Sequence, residues 1–511
     1  MPLSDITLFD VRSGAACLLA LTVKQRFPAA LLVGLKVTSL GFYCDFSFDS
    51  VFDEEALAQV EEMMLAWIRQ KIDVKIREMV PRSAKEYFLF HKEPLLAKYI
   101  ESSSSSSFFL AEIAGQMVLS ESAVSLSDLG KIGAFCLQKI EQSGPKLRIY
   151  GTAFFNKKEL KDFLKTAQEW SCFSHIISGE KLGLFEEEEG GWIWLPKGQK
   201  IRSLLKKVFE EEEEKFGFLR VSSLPITEDV SWKDFSFLHR KIFEKQNQSG
   251  TIKISECVTC CLLEGNDLSA GLLDPSLFQA LRSHTFCQKK DLLDEVISSL
   301  HFMTKIFKIL GFAFHSVLFE VHKGKHKEMS NLLSKALGSL DEGFERKNAV
   351  AFDSSPRIEW MVVDGLGRSW PIACLRSPAD VSQLDLVCFA SSSCLSFERV
   401  IALLLEKERG RIPFWMDPLQ IRVVALEKKH QDVAKKTFDS LRAEGFRADL
   451  YLKDEELKRV LRRALEEGIP YVAVIGDKEL ETDTITLRDV RAKQARSLPW
   501  QELIEMLKKV N

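Results

Sequence analysis

The sequence predicts an α+β protein in three parts, and three observations carry that reading. From about residue 418, strand-like and helical stretches alternate (IRVVAL, RADLYL, YVAVIG, TITLRD), the texture of a small α/β domain with a mostly parallel sheet. Between about 190 and 400, short strands with intervening helices predict an antiparallel sheet with helices around it. The 511 residues, finally, suit about three domains at roughly 150 residues each.

The elements follow in order. Residues 13–27 carry small and apolar residues at helical spacing and stop at Pro28. KVTSLGFYCDFSF (36–48) alternates as a strand pair around Gly41, and 52–72 is an amphipathic helix capped by Asp53 with acidic residues in its first turn. The serine run 102–107 is a loop or insert without chemistry. Residues 156–175 form a connecting helix, followed by short strands, a long helix and a strand ending at Pro225. The glutamate runs LFEEEEGG and VFEEEEEK read as solvated faces or loops.

Composition excludes several classes. With 46% hydrophobic and 28% charged residues the chain is globular, and a net charge of -3 confines any nucleic-acid contact to a local patch. The start of the chain lacks a basic leader before its apolar run, and no uncharged apolar stretch is long enough to cross a bilayer. Eleven scattered cysteines read as reduced thiols, which predicts a cytoplasmic protein.

SECVTCCLLEGNDL (255–268) raises the question of zinc, because Cys257 and Cys260 are spaced C-x-x-C and His284 and Cys287 follow. On a strand, however, residues three apart point to opposite faces, and no glycine separates the two cysteines to make a turn. Buried apolar thiols are the competing and preferred reading.

Three segments together resemble the threonyl-tRNA synthetase family of class II. GFYCDFSFDSVFDEEALAQVEEMMLAWI resembles part of its editing domain, and LRIYGTAFFNKKELKDFL with GEKLGLF resembles the joint to its catalytic domain. PFWMDPLQIRVVAL with YVAVIGDKELETDTITLRD resembles its anticodon-binding domain. Order and spacing agree over nearly the whole chain, beginning after the family's small ubiquitin-like module. The resemblance implies an editing-like α/β domain (1–155), a connecting helix (156–185), a class II antiparallel-sheet domain (186–415) and an anticodon-binding-type domain (416–511).

It also implies what is missing. The first histidine pair of the editing domain falls at Ser13 and Cys17, and no histidine lies between His91 and His175 to complete the second. Without imidazole there is no group poised near neutral pH to activate water. Residues 256–287 match motif 2, with Leu262 at the arginine that clamps the α-phosphate, Glu264 retained, Asp274 in place of a basic loop residue and Arg282 in place of the amine-binding aspartate. A guanidinium at developing phosphate charge is worth several kcal/mol, and roughly 3 kcal/mol is about two orders of magnitude in rate. Of the family's three zinc ligands only His284 is matched; Ala390 replaces another, and the segment carrying the cysteine is deleted between about 238 and 250. The residual ATP-binding candidates are Glu264, Arg399, Arg357 and Glu359, and no catalytic residue is assigned.

In the last domain Arg462, Glu479 and Arg488 are the tRNA-binding candidates, beside Lys453, Lys458, Arg459, Arg463 and Lys493 as cations for phosphates. A solvated helix face explains the same basic run without RNA. The expected protein is a divergent paralogue without the ubiquitin-like module, defective in aminoacylation and editing, that binds tRNA weakly or binds protein. The alternative is an active, divergent threonine–tRNA ligase. No cofactor is expected, with ATP and magnesium only if activity persists and no zinc. The partners are tRNA and a second copy in a homodimer, with no membrane and no DNA.

Overall fold

A computed structural model describes residues 6–510 except 49–50, 104–105, 121–125, 144–145, 189–190, 223–238, 244, 246–249, 262–267, 323–324, 341–342, 350–354, 377–378, 381–385 and 453–454. Leu262, Glu264, Lys453, the strand end at Pro225 and part of the serine run therefore lie outside the described residues. The chain forms two compact units, Met1–Glu169 and Trp170–Asn511. Mixed sheets and helices make up both, so the architecture is α+β.

In the first unit the helix Leu8–Arg26 is buried from Asp10 to Val23. A helix apolar all round belongs in a core, and the strand pair Leu31–Val37 and Phe42–Ser47 packs on it. The helix begins five residues before the apolar run suggested. Thr7 and Asp10 form a capping box in which the Asp10 amide donates to Thr7 Oγ1 (3.2 Å) and the Thr7 amide donates to Asp10 Oδ2 (2.9 Å). The T-x-x-D spelling was the missed signal. Asp53 caps the helix Glu54–Arg69 as expected, accepting from the Ala56 amide at 2.9 Å.

The second unit holds two large sheets. One runs Phe218–Arg220, Ile252–Cys261, Leu277–Gln288, Leu386–Cys394, Ser369–Arg376, Arg357–Val363, Phe314–Glu320, Phe344–Asn348, antiparallel through its centre. Leu281, Cys287, Ile358, Trp360, Leu375 and Cys394 face a core built with the helices Pro196–Lys215, Leu292–Ile309 and Phe397–Lys407. Alternation along the strands puts Glu256, Arg282, His284, Arg357, Glu359 and Arg376 on the opposite face. The other sheet runs Ala448–Tyr451, Ile421–Ala425, Tyr471–Ile475, Ile485–Asp489, Gln494–Leu498, its first three strands parallel. An exposed strand not read from the sequence, Gln494–Leu498, follows before the last helix Trp500–Val510.

One charge run corrects its reading. In the helix Pro196–Lys215, Glu212 and Glu213 are buried although the run was read as solvated. Glu213 accepts from Ser255 Oγ (2.8 Å) and Ser393 Oγ (3.1 Å) on two strands of the sheet. Burial pushes its carboxyl up to about 7 against the pull of those hydroxyls.

Candidate functional site

The open face of the long sheet ends at Arg399, two residues inside the helix Phe397–Lys407, which Ser396 caps. Its guanidinium is already engaged. Nε donates to the Leu273 carbonyl (2.5 Å), Nη1 to the Pro371 carbonyl (2.9 Å) and Nη2 to Asp274 Oδ1 (3.2 Å), with the Trp370 ring 5.4 Å away. Asp274, which the resemblance sets in place of a basic loop residue, is thus the counter-charge of Arg399. Arg357 is held likewise, donating to Glu359 at 2.6 Å and lying 4.1 Å over the Phe319 ring. Arg282 occupies the middle of the face, mostly buried, and donates to Cys260 Sγ at 3.2 Å. Burial lowers its pKa, and the neighbouring Arg376 adds to that. A like-charged residue there repels an ammonium group. The ATP-type arginines that can be located are therefore paired inside the protein and do not fit a triphosphate as free donors.

Zinc fits no better. His284 is buried, with its Nδ1 2.8 Å from Nδ1 of His239. Burial first, then the proximity of His239 and Arg282, depresses His284 to about 3. Its cross-strand neighbours are Ile254 and Ala390, and neither can ligate. Phe243, beside His239 in sequence, stacks on Phe286 at 4.9 Å and 15°, so the 239–243 stretch covers this end of the face. Cys257 packs toward the core while Cys260 faces Arg282, so the C-x-x-C pair diverges as strand geometry requires. Among the described residues no group of three or more His, Cys, Asp or Glu side chains is arranged to hold a metal.

In the first unit Ser13 and Cys17 sit on the buried helix, both 0% exposed. Ser13 Oγ is 3.4 Å from Ser120 Oγ, and Cys17 Sγ points at the Leu119 carbonyl at 3.8 Å. Burial drives the Cys17 thiol up to about 12, which removes thiolate at physiological pH. These positions are filled, with neither an acid–base group nor a nucleophile.

Around the last sheet the three RNA candidates separate, Arg462 and Glu479 on helices and Arg488 on a strand. Glu479 spends both oxygens on the fold: Oε2 accepts from the Gly476 amide (2.9 Å) and Oε1 from Thr486 Oγ1 (2.5 Å). Arg462 is 82% exposed and pairs with Glu466 at 3.0 Å, a weak surface contact. Arg463 is tied to Tyr451 and Glu455. Arg488 lies on Ile485–Asp489 opposite Val472, on the sheet face that packs toward the helix Leu457–Glu466, and its buried Nε has no partner among the described residues.

Sequence reasoning missed three buried acids that organise the unit. Glu398 accepts from Arg202 (2.8 Å) and the Gln279 amide (3.0 Å), tying the long helix to the motif 2 strand. Glu406 binds His175 Nδ1 at 2.6 Å. Asp417, raised to about 7 by burial against the attraction of Arg491 and Arg447, closes the joint before the last sheet. Only tertiary packing distinguishes such carboxylates from surface ones.

Comparison with known proteins agrees with this geometry. Residues 420–510 match the family model described as the anticodon binding domain. The chain is 25% identical to a threonine–tRNA ligase of Campylobacter lari over 99% of its own length and 93% of that protein's. It is 26% identical to one from Herminiimonas arsenicoxydans, covering 97% and 88% respectively. Among solved structures, the RNA binding domain of threonyl-tRNA synthetase from Cryptosporidium parvum Iowa II shares the fold, with a TM-score of 0.57 at 22% identity, over 66% of this chain and 98% of that one. In sheet architecture the chain shares the fold of that structure, and its residues 420–510 match an anticodon binding domain. Over nearly its full length the chain is similar to threonine–tRNA ligases.

Proposed function

We propose that this protein is a non-catalytic member of the family, a cytosolic homodimer that binds tRNA through residues 416–511 and neither activates threonine nor edits. The observation that carries the reading is Arg399. Its side chain could meet a triphosphate, yet two main-chain carbonyls and Asp274 occupy it. Arg282 at the amine position, Ala390 at a zinc position and Ser13 and Cys17 in the editing helix support it independently.

The RNA side of the proposal rests on Lys458, Arg459, Arg462 and Arg488, which present cationic groups from one helix and one strand of the terminal domain. Phosphate neutralisation by a few such groups gives salt-sensitive, sequence-tolerant affinity. A mobility-shift titration of the full chain with tRNA tests this: binding at low salt should weaken steeply with added salt. Reversing Arg462 and Arg488 together should abolish it, whereas Arg399→Ala should leave it unchanged. No shift at low salt would leave the terminal domain a structural or protein-binding element and refute the RNA half of the proposal.

A further inference from the structure

Two of the three groups that engage Arg399 lie on one short segment with its own fastening, and the third, the Pro371 carbonyl, comes from the strand Ser369–Arg376. Leu268–Leu273 makes two short 3₁₀ pieces broken by a kink at Gly271 and leads into Asp274, so the carbonyl and the carboxylate that bind Arg399 come from adjacent residues. The Leu272 amide donates to Nε2 of His175 at 3.1 Å. Because Nε2 accepts there, Nδ1 carries the imidazole proton and donates it to Glu406 at 2.6 Å. Glu406 in turn accepts from the Gly365 amide at 3.2 Å. Burial would raise this carboxyl, but the His175 contact holds it below its ordinary value.

Gly271 makes the close approach possible. Its φ of 57° and ψ of -131° lie where side chains are strongly disfavoured, and a Cβ there would meet His175 Nε2 at 2.7 Å and Ile176 Cδ1 at 2.9 Å. On either side Ala270, Leu272 and Leu273 are buried in the core, so the segment is seated firmly.

We propose that residues 268–274 are an autoinhibitory cover in which Asp274 and the Leu273 carbonyl take the place of phosphate oxygens on Arg399, fastened by the Glu406–His175–Leu272 chain. The inference rests on the non-catalytic reading and adds its device: the anion site is masked locally, and loosening the cover unmasks it for polyphosphate. Arg399 is already positioned at a helix start whose amides favour negative charge. Removing the Asp274 charge or dislodging the turn releases donors of the guanidinium, with Nη1 still held by the Pro371 carbonyl.

The test is ATP binding by calorimetry, with and without magnesium and with inorganic tripolyphosphate as a second probe, on the full chain. The unaltered protein should show no saturation at millimolar ATP. Asp274→Asn and Gly271→Ala should each bind at least tenfold more tightly, and adding Arg399→Ala to either should return the protein to no binding. Hydrogen exchange supplies a readout independent of nucleotide: in Gly271→Ala and in His175→Phe, amides 270–274 should exchange at least tenfold faster, with the Leu292–Ile309 helix unchanged to show that the fold holds. Unaltered exchange in both variants would overturn the fastening, and faster exchange without Arg399-dependent binding would overturn the masking. Neither result touches the non-catalytic reading. That reading fails separately, if the unaltered protein exchanges pyrophosphate into ATP with threonine.

Discussion

The helix at Ser13 and Cys17 and the helix start at Arg399 are closed to a ligand in different ways. In the first, both positions are 0% exposed and packed by the neighbouring strand. In the second, the functional group remains and is answered by a carboxylate and two carbonyls at 2.5–3.2 Å. Filling a site erases it; pairing a charge only masks it. A filled position resists reversal because a close-packed interior tolerates no added volume, whereas the pairing at Arg399 includes one removable side-chain charge beside two carbonyls.

The sharpest contrast comes from putting imidazoles back. Ser13→His with Cys17→His restores the family's pair in spelling but places two large polar rings where no space exists. Overpacking of typically 1–3 kcal/mol per site, plus unsatisfied polar atoms, predicts a loss of about 4 kcal/mol or more in unfolding free energy. Chemical denaturation measures it, and a double variant as stable as the parent would show that the cavity had not closed.

A second prediction concerns the buried Glu213. Its folded pKa of about 7 exceeds the ordinary value of 4.5, so the protonated form fits the native state better. The corresponding stability is fully present below about pH 4.5 and is lost as pH rises through 7, a change of about 3 kcal/mol. Asp417 titrates with the same sign. Glu213→Gln should flatten that slope and leave Asp417's share; a slope identical to the parent's would place the titration elsewhere.

The smallest effect is kinetic. Cys17 should resist iodoacetamide in the native protein at pH 8, while Cys172 and Cys261, both exposed, are alkylated. Modification of Cys17 at a rate similar to theirs, read by peptide mass spectrometry, would mean that the helix opens and the site is not filled.

What the sequence disclosed follows the range of the forces involved. Alternation and helical spacing are local, so the strand pair around Gly41, the Asp53 cap and the parallel texture after 418 were legible, as was the divergence of Cys257 from Cys260. Pairings distant in sequence were not. Nothing in a glutamate run says that Glu213 will meet Ser255 and Ser393 on separate strands, or that His175 will be joined to Glu406, 231 residues away. Nor does the sequence show that Arg399 will meet Asp274, 125 residues away, because the two come together only through the fold.

The central proposal is that the protein makes no adenylate. Threonine-dependent exchange of radiolabelled pyrophosphate into ATP tests it most directly, with purified protein, saturating threonine and magnesium. The account predicts exchange no greater than in the absence of enzyme. Exchange that requires threonine and disappears in Arg399→Ala would contradict it and mark the protein as an active ligase with unusual residues.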